Sequence, residues 1–154
     1  VVYANGTDFV FEYSQKYGIP PKLIKAIITT ESSNNHFAYR VEEDYKYLYQ
    51  VEYFARKHNI PINTEKWGQK MSWGAMQVMG ATAREMGFDG KFFTELTSIT
   101  GVKYGCMYLS KLYERYGNWE DAISAYNQGN NRKINGKYEN QEFVNKVLKK
   151  WRGK

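Results

Sequence analysis

Across residues 98–116, Val102, Gly105, Cys106, Leu109, Leu112 and Tyr116 fall three or four positions apart along one face. That is the period of an α-helix, and it is the strongest periodic signal in the chain. Gly101 and Gly105 sit on this helix, where a glycine costs ~1 kcal/mol relative to alanine. They predict a small-residue patch against which another helix can approach closely. Helical period recurs elsewhere, and strand-like alternation is scarce. Asp8 is placed to cap a first helix carrying Phe9, Tyr13 and Tyr17 on one face, ended by Gly18. Pro20-Pro21 opens a second, striped by Leu23, Ile24, Ile27 and Ile28, and the run Ser32-Ser33-Asn34-Asn35 stops it.

The period predicts a third helix over residues 43–59, with Tyr47, Leu48, Val51, Phe54 and Ala55 inward. Asn59-Ile60-Pro61 breaks it, and a polar loop to Lys70 is expected. Residues 71–79 and 81–86 read as two short helical pieces. Further helices are expected over 119–127, ended by Gly129, and over 141–151 after an Asn135-Gly136 turn. Repeats, low-complexity segments and linkers are absent from the sequence. At 154 residues the expectation is one all-α domain over 1–154.

Composition narrows the function. Hydrophobic residues are 42% and charged residues 25%, which argues against disorder. Fourteen of the aromatics are tyrosine, which suits a wet binding groove and a damp core equally. A net charge of +6 implies attraction to polyanions: nucleic acid, anionic lipid or an anionic wall polymer. The single Cys106 excludes an internal disulfide and a Cys-rich zinc site, and its apolar setting predicts a buried thiol. His36 and His58 lack metal-ligand spacing, and no Ser-His-Asp signature exists. No apolar run approaches ~20 residues, so no membrane span is expected. Neither a signal peptide nor an initiator Met is present, so a processed form or a piece of something longer is expected.

Three places could hold chemistry. Glu31 continues the stripe of Leu23 and Ile27 at four-residue spacing and lies at a helix C-terminus. Apolar surroundings and the negative end of the helix dipole both favour the protonated carboxyl, as a general acid requires. The alternative is a frayed helix end with Glu31 in water. Around Ser72 to Gln77, Gly74 permits close backbone approach, and Gln77 offers a donor and an acceptor suited to a sugar hydroxyl or acetamido group. Taken alone, a buried helix start with Met76 as gap-filler is the favoured reading of this segment. Ala125-Tyr126-Asn127-Gln128-Gly129 sets a Tyr and an Asn at a helix end, or is an ordinary C-cap.

In this order, Glu-Ser, Gly-x-Met-Gln-Val-Met followed by Ala-Thr-Ala, and Ala-Tyr-Asn-x-Gly together resemble the soluble lytic transglycosylases. These are glycoside hydrolase family 23 enzymes with a goose-type lysozyme fold. The resemblance covers about residues 19–148, and Phe143-Val144 with Val147 resembles the family's closing helix. It implies Glu31 as the catalytic acid, with Gly74, Ala75, Met76 and Gln77 building a sugar groove and Tyr126 near the catalytic Glu. Ser72, Asn127 and Tyr138 are further substrate-binding candidates. The implied reaction cuts peptidoglycan between N-acetylmuramic acid and N-acetylglucosamine without water, leaving a 1,6-anhydro product. It calls for no metal and no cofactor.

Gly80, Gln128 and Asn130 depart from the family pattern, and 42 residues separate Glu31 from Trp73. That longer spacing resembles phage-encoded wall hydrolases. The insertion carries Glu42, Glu43 and Asp44, either a second carboxylate for a hydrolytic muramidase or a solvated helix N-terminus. A non-catalytic wall-binding module is the other alternative. Basic residues scatter, except Lys146, Lys149, Lys150, Arg152 and Lys154, so nucleic acid is not expected as a partner. The expected partner is the peptidoglycan glycan strand, acted on by a monomer in the periplasm or cell wall, or delivered by a phage.

Overall fold

The computed structural model describes residues 8–153 and is mostly helical, in keeping with the all-α class. The helices are α1 (Phe9–Tyr17), α2 (Pro21–Ser32), α3 (Val51–His58), α4 (Ile62–Gln69), α5 (Gly80–Glu85), α6 (Ile99–Tyr116), α7 (Trp119–Gln128) and α8 (Gln141–Arg152), with a 3-10 turn at Phe93–Thr97. Strands β1 (Tyr39–Val41), β2 (Met71–Trp73) and β3 (Val78–Met79) form an antiparallel sheet in that order. Strands β4 (Lys133–Ile134) and β5 (Lys137–Tyr138) form a hairpin around the Asn135-Gly136 turn. The described residues make two compact units, one up to Thr30 and from Cys106 onward, the other Glu31–Gly105.

In the first unit the caps act as the sequence predicts. The Asp8 carboxylate accepts the Val10 and Phe11 N–H groups, and Gly18 closes α1 in the left-handed region at φ +68°. The predicted stripes are largely buried: Phe9 and Tyr13 on α1, with Tyr17 half-buried, Leu23, Ile24, Ile27 and Ile28 on α2, Leu109 and Leu112 on α6. Ile123 on α7 and Val144 and Val147 on α8 join them. Cys106 is buried, and burial pushes its thiol up to about 12.

The second unit departs from the sequence expectation in three places. The predicted helix over 43–59 shrinks to α3; β1 precedes it, and Glu43 to Gln50 follow an irregular path. The cause is a side chain distant in sequence. The Gln69 amide accepts the Tyr49 N–H at 2.7 Å and donates to the Tyr49 carbonyl at 2.8 Å, replacing helical hydrogen bonds. Gln50 then turns left-handed at φ +46°. Phe54 and Ala55 are buried as expected, while Tyr47 is exposed.

The second departure is α4, which lies where a polar loop was expected. Its inward residues are Glu65 and Gln69, four apart and fully buried. They carry no apolar stripe, because what they face is Arg84 of α5. The Arg84 guanidinium donates to both Glu65 oxygens, at 2.9 and 2.8 Å, and to the carbonyls of Phe88 and Gly90. Rings of Phe54, Phe88 and Phe93 lie 4.5 to 5.0 Å from it.

Third, residues 71–79 are strand, turn and strand, so of the two expected short helical pieces only the second forms, as α5. Trp73, Val78, Ala83, Phe88, Phe93 and Leu96 form the apolar core below that sheet. The close approach at Gly101 is not from another helix. A Cβ there would collide with the Leu96 carbonyl oxygen of the 3-10 turn.

Arg84→Met leaves the Glu65 charge buried and unpaired. A loss of about 3–5 kcal/mol in stability is expected by chemical denaturation. The double variant Arg84→Met/Glu65→Leu should be less damaging than the two single losses added. Cys106 should resist a thiol reagent near neutral pH in the native protein and react promptly once denaturant unfolds it.

Candidate functional site

Glu31 is the penultimate residue of α2 and is half-buried. The helix stops one residue later because Ser33 and Asn34 turn left-handed, at φ +53° and +65°. Its neighbour Ser32 donates its hydroxyl to the Ala75 carbonyl at 2.7 Å, across 43 residues of sequence. Glu-Ser is thereby tied to the Gly-x-Met-Gln segment. The Asn35 N–H bonds back to the Ser32 carbonyl, which closes the loop that leaves the helix.

Gly74 to Gln77 form the turn between β2 and β3. Gly74 is required twice over: its φ is +78°, and a Cβ would strike the Leu96 carbonyl oxygen. Its N–H donates to the Ala38 carbonyl at 2.8 Å. Gln77 is left-handed too, at φ +50°. The Gln77 amide accepts from Ser72 Oγ at 2.9 Å and donates to the carbonyls of Gly74 and Ala38, at 2.8 and 3.1 Å. It therefore braces the turn. Ser72 is 4% exposed, and Ala75 and Met76, within the turn itself, are fully buried.

In the other unit, Tyr126 and Asn127 occupy the last turn of α7, closed by Gly129 at φ +90°. Tyr126 is buried with its ring 5.5 Å from Tyr108. Asn127 is exposed and accepts from the Asn140 amide at 2.9 Å. Gln128, a departure from the family pattern, donates to the Asn130 carbonyl and so ties the following loop. Tyr138 on β5 is buried and donates its hydroxyl to Asp121. Burial first, and then the Asp121 carboxylate, hold the Tyr138 hydroxyl above the usual tyrosine range. Burial would raise Asp121, but hydrogen bonds from Tyr138, Asn118 and Asn131 outweigh it and keep that carboxyl below its usual range.

The acidic cluster does not start a helix. Glu42 directly follows β1 in an exposed ion pair with Arg40, and its N–H donates to the Lys70 carbonyl. Lys70 donates its ammonium to the Glu43 carbonyl. Among the described residues no group of three or more His, Cys, Asp and Glu comes together as metal ligands would, and no helix is long and apolar enough to cross a membrane. Sequence reasoning overlooked the Glu65–Gln69–Arg84 network. The only signal was Glu65 and Gln69 at four-residue spacing, which looks the same on a solvated face.

The sequence model of the transglycosylase SLT domain matches residues 8–148. No curated protein and no solved structure matches the chain. The matched span takes in the Glu-Ser pair, the braced turn and the α7 motif. The chain belongs to the transglycosylase SLT domain family, whose members are lytic transglycosylases acting on peptidoglycan.

Proposed function

We propose that this chain cuts the glycosidic bond between N-acetylmuramic acid and N-acetylglucosamine without water, with Glu31 as acid and then base. The observation that carries the reading is the Glu31-Ser32 corner: a half-buried carboxyl at a helix C-terminus, its neighbour bonded to the braced turn. The negative end of a helix disfavours an ionised carboxyl, which suits a group that must begin protonated.

Glu31 protonates the bridging oxygen, and the leaving sugar departs as an oxocarbenium-like centre develops. The ionised Glu31 then takes the proton of the muramic 6-hydroxyl, whose oxygen closes a 1,6-anhydro ring. The nucleophile is already part of the substrate, so proximity supplies much of the rate. Water as nucleophile in an inverting reaction would need a second carboxylate ~6.5–9.5 Å away. Glu42 is engaged with Arg40, which favours the single-carboxylate route.

The substrate-binding roles extend this reading. Gln77 and Ser72 hold the turn in shape, and Met76 is buried within it. Tyr126, Asn127 and Tyr138 are assigned to sugar contacts on their motifs. The protein acts as a monomer outside the cytoplasm, in the periplasm or wall, or is delivered there by a phage. Charge supports a wall partner: the unit up to Thr30 and from Cys106 holds 13 basic and 7 acidic residues, the other 9 and 9.

Glu31→Gln should lower activity on purified sacculi by at least ~10²–10⁴-fold with the fold intact by circular dichroism, while Glu42→Gln costs far less. Mass spectrometry should find non-reducing anhydro-muropeptides. Reducing ends would mean a hydrolase, and equal damage from Glu42→Gln would support a two-carboxylate mechanism. Sacculus binding should weaken as salt rises from ~0.1 M to ~1 M, where the screening length falls from ~10 Å to ~3 Å. Salt-independent binding would count against the charge argument.

A further inference from the structure

Phe37 and Tyr39 lie on the segment just beyond the Glu-Ser corner, and their rings stand 76% and 66% exposed. Rings held in water usually sit on loose segments. This one is anchored. Ala38, between them, accepts both the Gly74 N–H and the Gln77 amide through its carbonyl. Upstream, the Asn35 side chain accepts the Phe37 N–H at 3.0 Å, and the Ala38 N–H donates to the Asn35 carbonyl. Both rings are therefore carried on backbone fastened to the turn that also receives Ser32.

The chemistry of the surface selects its occupant. Val41, on the same face of β1 as Tyr39 by strand alternation, is also exposed. Arg40 and Glu42 cancel each other's charge, and the whole unit is balanced at nine basic and nine acidic residues. A neutral, apolar platform with one phenol suits the C–H face of a pyranose ring, which is flat, uncharged and rimmed by hydroxyls. It offers nothing to hold a phosphate-rich polymer.

We infer that Phe37 and Tyr39 form a stacking platform for sugar rings of the glycan strand next to Glu31, extending the substrate site along β1. The inference rests on the glycan-cleaving reading above. The platform lies in the stretch between Glu31 and Trp73, whose length departs from the family pattern.

Binding is measured in the Glu31→Gln protein, so that turnover does not erode the ligand. Two ligands are used: purified sacculi by co-sedimentation, and glycan strands freed of stem peptides by titration. Adding Phe37→Ala and Tyr39→Ala together should raise the half-saturation concentration roughly tenfold on both ligands. Phe37→Trp with Tyr39→Trp should retain binding, with circular dichroism unchanged throughout. Unchanged binding in the folded double-alanine protein overturns the platform. A loss confined to peptide-bearing sacculi also overturns it, since the surface would then read peptide. Activity surviving in Glu31→Gln instead overturns the catalytic assignment, and leaves the binding comparison between the two ring variants to be judged by itself.

Discussion

The unit spanning Glu31 to Gly105 depends on one buried ion pair. Arg84 and Glu65 are both withdrawn from water, and isolated burial of either charge would be prohibitive. It is tolerated because four of the guanidinium's N–H donors are satisfied and both carboxylate oxygens accept. Three aromatic rings enclose the cation. The pair joins α4 to α5, pulls in Phe54 of α3 and Phe93 of the 3-10 turn, and through Gln69 reaches the backbone of Tyr49. Without it, the insertion would be short helices with little apolar surface of their own. Replacing such a pair with apolar residues is often neutral for stability, so its role here is read as specificity of arrangement.

That arrangement bears on the candidate site through the sheet. Gly68 of α4 accepts from the Trp73 indole at 2.9 Å and lies so close to the Phe93 ring that a Cβ would not fit. Trp73 ends β2, and the turn that follows is braced by Gln77 and receives Ser32. The hydrogen bonds converging on Ala38, Gly74, Ala75 and Gln77 fasten this turn to the end of α2 and to the strand segment that follows it.

Much of this was legible in the residues. The helices α1, α2, α6, α7 and α8 follow from apolar spacing and caps, because each buries one face against its surroundings and 3.6 residues per turn imposes the pattern. Glu31 stood out for the same reason, as a carboxyl on an apolar stripe. The motif order carried the family, which the match over residues 8–148 bears out. Illegible were the elements whose partners are polar and far away. Residues 43–50 have helical spacing, but Gln69 takes the Tyr49 backbone. Residues 62–69 look like a loop, but Arg84 makes their polar face the inner one.

Residue order alone therefore determined the helices with local signals, the buried thiol and the identity of the family, since periodicity, caps and motifs are properties of neighbours in sequence. Only the tertiary structure decided that Gln77 braces a turn, that Glu42 pairs with Arg40 and that Phe37 and Tyr39 flank an anchored residue. These outcomes turn on which hydrogen-bonding groups meet, from two residues apart for Arg40 and Glu42 to 39 apart for Gln77 and Ala38. A polar side chain looks alike in sequence whether it faces water or a buried partner, and folding alone chooses between them.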